Sequence, residues 1–277
     1  MKLVGIRDGR RVDVAVQIGD RVTPIAEVGD FYADLGRWLP QARRTDTGLH
    51  PVAEAELAPP VPPWARVVCV GLNYRSHAAE GGFTPPRYPT VSGRWATTLT
   101  ASGTPAPVPA GEPGLDWEGE VAAVVGRRLT DADEATAAAS VLGYAAFNDL
   151  TARAAQKLTA QWTLGKNADR SGPMGPLVTA DEVGDLAGGL RLRTRVNGET
   201  VQDGNTRDMI FGVGELLSLI SHAFTLQPGD VLATGTPGGV GYVRDPPRFL
   251  RPGDVVEVEI DRLGVLRTPI VGPEQRP

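Results

Sequence analysis

Cysteine is almost absent: the 277 residues include one, Cys69. That excludes an intrachain disulfide and makes a reducing compartment the natural setting. Cys69 lies in the apolar run Arg66–Gly71, where a lone thiol reads as a buried strand residue rather than a reactive one. Long apolar runs are missing too. No stretch approaches the roughly 20 apolar residues of a membrane helix. The opening Met1-Lys-Leu-Val-Gly-Ile-Arg-Asp8 lacks the apolar core and cleavage site of a signal peptide. The expectation is a soluble, cytoplasmic chain. A concentrated positive charge is also lacking, since 28 Lys and Arg stand against 33 Asp and Glu, a net charge of −5. This argues against nucleic-acid and anionic-membrane partners, both of which need a strong basic field. No Gly-x-Ser-x-Gly occurs, so a serine-hydrolase elbow has no support.

What the chain has in excess is glycine (34) and proline (24), about a fifth of the whole against roughly 12% in average usage. Spread without a period, they fit many short strands and tight turns, an α+β, β-rich architecture. Val12–Val16 and Arg21–Ile25 read as strands around Gly19-Asp20, followed by a helix over Phe31–Leu39. Pro59-Pro-Val-Pro-Pro63 reads as a stiff connector. It divides a small N-terminal domain (1–62) from a larger domain (63–277). Strands are expected at Val67–Val70, Glu118–Val125, Val141–Phe147, Asp230–Thr234 and Val255–Ile260. Residues 81–114, rich in Gly, Pro, Ser and Thr, read as a long functional loop. Helices are expected at Thr130–Ser140 and Met209–Phe224, the latter with Ile210, Val213, Leu217, Ile220 and Phe224 on one stripe, and a helical turn at Leu150–Lys157. Asn197-Gly198 between Leu190–Val196 and Glu199–Gln202 is a strong hairpin signal.

The chemistry centres on acids. Glu118 and Glu120 are two apart on an expected strand and so share a face. Two adjacent carboxylates repel unless a cation lies between them; the pair alone leans toward a solvated strand edge. Asp149, at the end of the apolar strand Tyr144–Asn148, tips the reading toward a metal site. Three carboxylates without clustered histidines or thiols form a hard-oxygen set that suits Mg²⁺ or Mn²⁺, with Ca²⁺ as a further option, over Zn²⁺.

These residues sit in ordered blocks that resemble the fumarylacetoacetate hydrolase family. The blocks are Gly71-Leu-Asn-Tyr-Arg-Ser-His-Ala-Ala-Glu80, Asp116-Trp-Glu-Gly-Glu120, Asn148-Asp-Leu-Thr-Ala-Arg153 and Trp162-Thr-Leu-Gly-Lys-Asn-Ala-Asp169. Gly204–Phe211 and Pro228–Gly241 complete the series, so the likeness spans about Val67 to Val271. The resemblance implies rolled mixed β-sheets, a homodimer, and Mg²⁺ or Mn²⁺ on Glu118, Glu120 and Asp149. It implies hydrolytic C–C cleavage, isomerisation, tautomerisation, decarboxylation or hydration of a small 2-oxo acid or β-dicarbonyl compound through a metal-bound enolate.

Roles follow from the residues and the resemblance together. His77 and Glu80, three apart, share a helical face, and a carboxylate beside an imidazole raises its basicity. A surface pair is the plain alternative, and the resemblance favours a water-activating dyad. By the same resemblance Lys166 joins the catalytic set, and Tyr74 and Asp169 contact substrate, with Gln156 and Arg153 as weaker candidates. Arg94 stands where the family often has lysine; it is expected to clamp a substrate carboxylate bidentately. The glycine-rich Thr234–Gly241 carries no Lys-Ser/Thr and no dinucleotide fingerprint, which excludes a P-loop or Rossmann site. Thr236 there is read as an oxyanion donor, or else as part of a simple turn. His50 carries no signal, and His222 reads as structural.

Overall fold

The computed structural model describes residues 1–82 and 84–273. Phe83, inside the expected 81–114 loop, and residues 274–277, at the end of the expected catalytic domain, lie outside the described residues. The fold is β-rich and mixed, as its many glycine and proline breaks anticipate. A 13-stranded sheet runs from the N-terminal meander to Thr90–Trp95. Its centre is the antiparallel pair Gly119–Val125 and Val141–Asn148, extended by Val231–Ala233 and then, in parallel, by Arg66–Gly71. A second, five-stranded sheet contains Arg191–Val196, Glu199–Asn205, Val255–Ile260 and Gly264–Val271, with Ala106–Pro107 at its edge.

Gly119–Val125 is buried along its whole length because it is covered on both faces. Val121, Ala123 and Val125 pack with Leu192, Val258 and Leu266 of the second sheet and with Leu216, Leu217 and Ile220 of helix Val213–Ala223. Ala122 and Val124 point the other way, among Val14, Val16, Phe31 and Leu177. That double burial explains why this strand reads as a continuous apolar run rather than an alternating one. Gly119 is the close-packing point: a Cβ there would collide with Thr194 Oγ1 of the second sheet. Gly119→Ala is expected to destabilise the protein by about 1–3 kcal/mol, as overpacking does, measured by urea unfolding.

Several expected elements differ in extent. The Phe31–Leu39 helix is two helices, Val28–Ala33 and Leu35–Arg43, because Asp34 leaves helical geometry and its side chain caps Arg37 N at 3.0 Å. Helix Glu134–Ala138 is shorter than expected, starting only after Asp133 caps Thr136 N. The 81–114 segment is not one loop. It contains strands Thr90–Trp95 and Leu99–Ala101, whose backbone pairs with Arg66–Gly71 and Gly172–Met174. The amphipathic helix spans Val213–Ala223, with Val213, Leu217 and Ile220 buried and Phe224 exposed at its C-cap. The Asn197-Gly198 hairpin is present, both residues at positive φ, as a type I′ turn requires.

The N-terminal strands join the main sheet through Lys2–Asp8, which pairs with Leu177–Thr179. The proline-rich connector is packed down: Val61 is in the core, and Tyr32 donates its hydroxyl to Pro60 O at 2.7 Å. No helix among the described residues is long and apolar enough to cross a membrane.

Candidate active site

The strand start at Glu118 and the strand end at Asp149 meet because Gly119–Val125 and Val141–Asn148 are register partners, Gly119 opposite Asn148. Asp149 N donates to Glu118 O at 2.9 Å, and Glu118 N to Asn148 Oδ1 at 3.1 Å. Glu118, Glu120 and Asp149 are all buried, and one carboxylate oxygen from each lies within 4.8 Å of the others. They line a cavity of about 310 Å³ together with His77, Gln156, Lys166 and Thr236.

Buried like charges at that spacing require compensation. Lys166 Nζ supplies part of it, donating to Glu118 Oε2 at 2.5 Å and Asp149 Oδ2 at 2.6 Å. Arg153 bridges Glu118 Oε1 at 2.7 Å and Asp116 Oδ2 at 2.8 Å. Arg94 grips Asp149 Oδ1 through Nε at 2.9 Å and through Nη2, and is itself braced by Ser171 Oγ at 2.6 Å. Four buried carboxylates thus face three buried cations. Burial pushes the Glu118 carboxyl up, but Lys166 and Arg153 outweigh it and hold it below the usual range. Asp149 is likewise depressed, burial being overcome by Lys166 and Arg94. Lys166 is the mirror case: burial favours the neutral amine, yet Asp149 and Glu118 raise its pKa above the ordinary lysine value.

Glu120 is the exception. Its partner is a backbone N–H, Gly235 N to Oε2 at 2.9 Å, and no cation pairs with it among the described residues. Burial pushes its carboxyl well above the usual range, and Asp149 and Glu118 push the same way. Beside it the Tyr74 hydroxyl is buried without a hydrogen-bond partner among the described residues. An uncompensated carboxylate within a hard-oxygen trio is what a divalent cation would complete, so these residues fit a metal.

His77 lies on helix Arg75–Glu80, placed by the bracket at Asn73. Asn73 Nδ2 donates to Thr234 O at 2.8 Å and to Phe211 O at 3.1 Å, and Asn73 Oδ1 accepts from Phe211 N at 2.8 Å. His77 Nδ1 and Glu80 Oε1 are 2.7 Å apart, and Glu80 Oε2 accepts from Gly239 N at 2.6 Å. The glycine-rich loop therefore anchors the dyad. Thr236 Oγ1 donates to Gly119 O and accepts from Gln202 Nε2, both at 2.8 Å, so its hydroxyl is engaged in framing the acidic strand. Gln156 Oε1 accepts from Arg153 Nη1 at 3.0 Å.

Three expected substrate contacts lie elsewhere. Arg94 forms no part of the cavity wall; its fork is spent on Asp149, because a fully buried guanidinium takes the nearest buried carboxylate. Tyr74 is buried behind the wall, and Asp169 is exposed on the turn after Lys166. Asp116 and Gln202 went unassigned in the sequence. Asp116 accepts from Gly241 N at 2.7 Å and from Arg153 Nε at 2.9 Å, tying the loop to the acids. The two-residue spacing that pairs Glu118 with Glu120 extends to Asp116 and was the available signal. Cys69 borders the cavity, and burial pushes its thiol well up, so it is inert there.

The family model described as Fumarylacetoacetate (FAA) hydrolase C-terminal matches residues 66–271. The chain belongs to the fumarylacetoacetate hydrolase family. Other members resemble it over most of its length. A 2-hydroxyhepta-2,4-diene-1,7-dioate isomerase from Mycobacterium marinum superposes with TM-score 0.81 at 33% identity, covering 99% of this chain and 100% of that one. A fumarylpyruvate hydrolase from Pseudomonas aeruginosa, solved with Mn²⁺ and pyruvate, gives TM-score 0.69 at 32% identity over 83% and 94% of the two chains. A mitochondrial oxaloacetate tautomerase of Xenopus laevis is 41% identical over 209 residues, 74% of this chain and 65% of that one. The family thus contains hydrolases, isomerases and tautomerases, and this member carries an acidic triad able to bind a metal.

Proposed function

We propose that this family member is a divalent-metal-dependent hydrolase that cleaves a C–C bond in a 2,4-dioxo acid of acylpyruvate type. The observation that carries the reading is that the Glu80-held His77 and the three carboxylates line or back one cavity. Glu118, Glu120 and Asp149 hold the ion, Mg²⁺ or Mn²⁺, in keeping with the Mn²⁺ and pyruvate of the fumarylpyruvate hydrolase. When bound, it supplies Lewis acidity that polarises paired substrate oxygens and stabilises enolate charge.

The chain's own residues do the rest. His77 Nδ1 is committed to Glu80, which leaves Nε2 as the working ring nitrogen. Nε2 takes a proton from water, and the hydroxide adds to the distal carbonyl carbon. The bond between that carbon and the adjacent methylene then breaks, and its electron pair passes into an enolate. Protonation of the former methylene carbon yields a 2-oxo acid, and the distal fragment leaves as a carboxylic acid, so one water is consumed. Lys166, held between Glu118 and Asp149, presents its ammonium to the cavity as a donor to the oxygen on which enolate charge develops. The catalytic work falls to residues 63–277 of a cytoplasmic homodimer, with residues 1–62 as a small N-terminal domain.

His77→Gln is expected to lower kcat by roughly 10²–10⁴-fold, the usual worth of a general base, while Mn²⁺ binding measured by calorimetry stays intact. A second reading, tautomerisation, isomerisation or decarboxylation at the same site, is favoured by the oxaloacetate tautomerase and diene-dioate isomerase relatives. Turnover of acylpyruvates, oxaloacetate and unsaturated 2-oxo diacids in H₂¹⁸O, read by mass spectrometry, separates the two. Hydrolysis gives two organic acids, with solvent oxygen in the carboxylate of the distal one; tautomerisation or isomerisation gives one product with its carbon skeleton unchanged, and decarboxylation gives one organic acid and CO₂.

A further inference from the structure

Glu118 and Glu120 are joined through Gly119, and that joint is the soft point of the acidic strand. A Cβ at Gly119 would collide with Thr194 Oγ1 and crowd Gln202 Oε1, so close packing on the second sheet requires glycine there. Glycine leaves the backbone between the two glutamates with the greatest conformational freedom. The sheet stiffens it on one edge, where Gly119 lies opposite Asn148. On the other edge the ladder with Val231–Ala233 runs from Val124 to Ala122 and stops short of it.

Two side chains stand in for the strand that ends there. Gln202 Oε1 accepts from Gly119 N at 3.0 Å, and Gly119 O accepts from Thr236 Oγ1 at 2.8 Å. Gln202 Nε2 closes the ring by donating to that same hydroxyl at 2.8 Å and to Pro237 O at 2.9 Å. Gln202 is itself buried, and its residue in the second sheet pairs with Thr194. Its strand is seated hard on the glycine-rich loop, since a Cβ at Gly239 would collide with Val201 O. The peptide on each side of Gly119 is therefore clamped, and with it the reach of Glu118 and Glu120. A rigid carboxylate set suits a small octahedral ion such as Mg²⁺, with oxygens at about 2.0–2.1 Å, whereas Ca²⁺ at about 2.3–2.6 Å needs a set that can open.

We propose that Gln202, acting through Gly119, is a positioning residue that sets the ion-size selectivity of the acidic triad, favouring small octahedral cations over Ca²⁺. This rests on the metal reading above and adds what holds the site to one ion size. The test needs no turnover. Mn²⁺ bound to the metal-free full chain is counted by electron paramagnetic resonance, and Mg²⁺ and Ca²⁺ are each titrated in to displace it. The quantity read is the ratio of the Ca²⁺ to the Mg²⁺ dissociation constant. Gln202→Met keeps the side-chain volume and removes all three hydrogen bonds. It is expected to weaken Mg²⁺ binding and lower the ratio by about tenfold, the lower end of the cost of losing support around a metal ligand. Ca²⁺, tolerant of irregular geometry, changes little. Thr236→Val removes the clamp on the Gly119 carbonyl and lowers the ratio in the same direction, while Thr236→Ser keeps the hydroxyl and the wild-type ratio. Val22→Ala, which opens a cavity in the separate cluster of Val4, Ala15 and Val22, lowers Tm and leaves the ratio alone. An unchanged ratio in Gln202→Met, or an equal fall in Val22→Ala, overturns the proposal. If Gln202→Met does not fold, the Thr236 pair decides: equal ratios in Thr236→Val and Thr236→Ser overturn it. Wild type that binds none of the three ions overturns the metal reading and this inference with it, whereas binding with an unmoved ratio overturns this inference alone.

Discussion

Glu120→Gln is expected to make the metal-free protein more stable while abolishing its metal-dependent activity. The two effects share one cause. Glu120 is a buried carboxylate beside Glu118 and Asp149, and the described residues give it a backbone N–H but no cation. Replacing it with a neutral amide of the same shape removes an uncompensated charge. Relief of that order is worth roughly 1–3 kcal/mol, or about 2 °C in Tm per kcal/mol for a chain of this size. The same substitution removes a ligand of the ion. Loss of partners one step further out already costs about 10–100-fold in metal affinity or activity, so a ligand should cost at least about 100-fold. Scanning calorimetry of EDTA-treated protein, with and without Mn²⁺, checks both halves. Wild type should gain Tm on adding Mn²⁺, and the variant should start higher and respond little. A variant that melts lower than wild type without metal would show that Glu120 is compensated by some other means.

Lys166→Met is expected to act in the opposite sense. Its ammonium sits between Glu118 and Asp149 and is buried with them. Removing one partner from a buried charge network leaves the others uncompensated, which typically costs about 3–5 kcal/mol. At about 2 °C per kcal/mol, the metal-free variant should melt about 6–10 °C lower. A bound divalent cation supplies charge to the same carboxylates. Mn²⁺ at about 100 times its dissociation constant should return roughly 2.7 kcal/mol of that loss. Activity should stay low even when metal restores stability, because the fixed charge over the enolate is gone. Equal Tm values for variant and wild type in EDTA would contradict the role given to Lys166.

The legibility of this site in the sequence follows the range of each interaction. Glu118 and Glu120 were readable as a pair because strand geometry puts residues two apart on one face, and that needs no tertiary knowledge. His77 with Glu80 and the Asn197-Gly198 hairpin were readable for the same reason: three-residue helical spacing and local turn chemistry. Arg94 was not. Its charge was evident, but the choice between a substrate carboxylate and Asp149 depends on a contact 55 residues away. Asn73, Gln202 and Asp116 escaped for the same reason, since their work is to hold distant loops by buried hydrogen bonds. Strand Thr90–Trp95 was hidden because its glycine and polar residues carry no alternation. It is a strand because Arg66–Gly71 offers it a complete backbone ladder. Burial on both faces of Gly119–Val125 likewise depends on two layers that come from separate parts of the chain.

The proposed function stands on Glu118, Glu120 and Asp149 holding the ion on which turnover depends. The most direct measurement is turnover of an acylpyruvate by EDTA-stripped enzyme, followed by titration with Mn²⁺ while binding is counted by electron paramagnetic resonance. Stripped enzyme is expected to show no turnover, to recover in proportion to one Mn²⁺ bound per chain, and to show neither binding nor recovery in Glu120→Gln. Full turnover in EDTA, or Mn²⁺ binding that survives in Glu120→Gln with wild-type affinity, would contradict it.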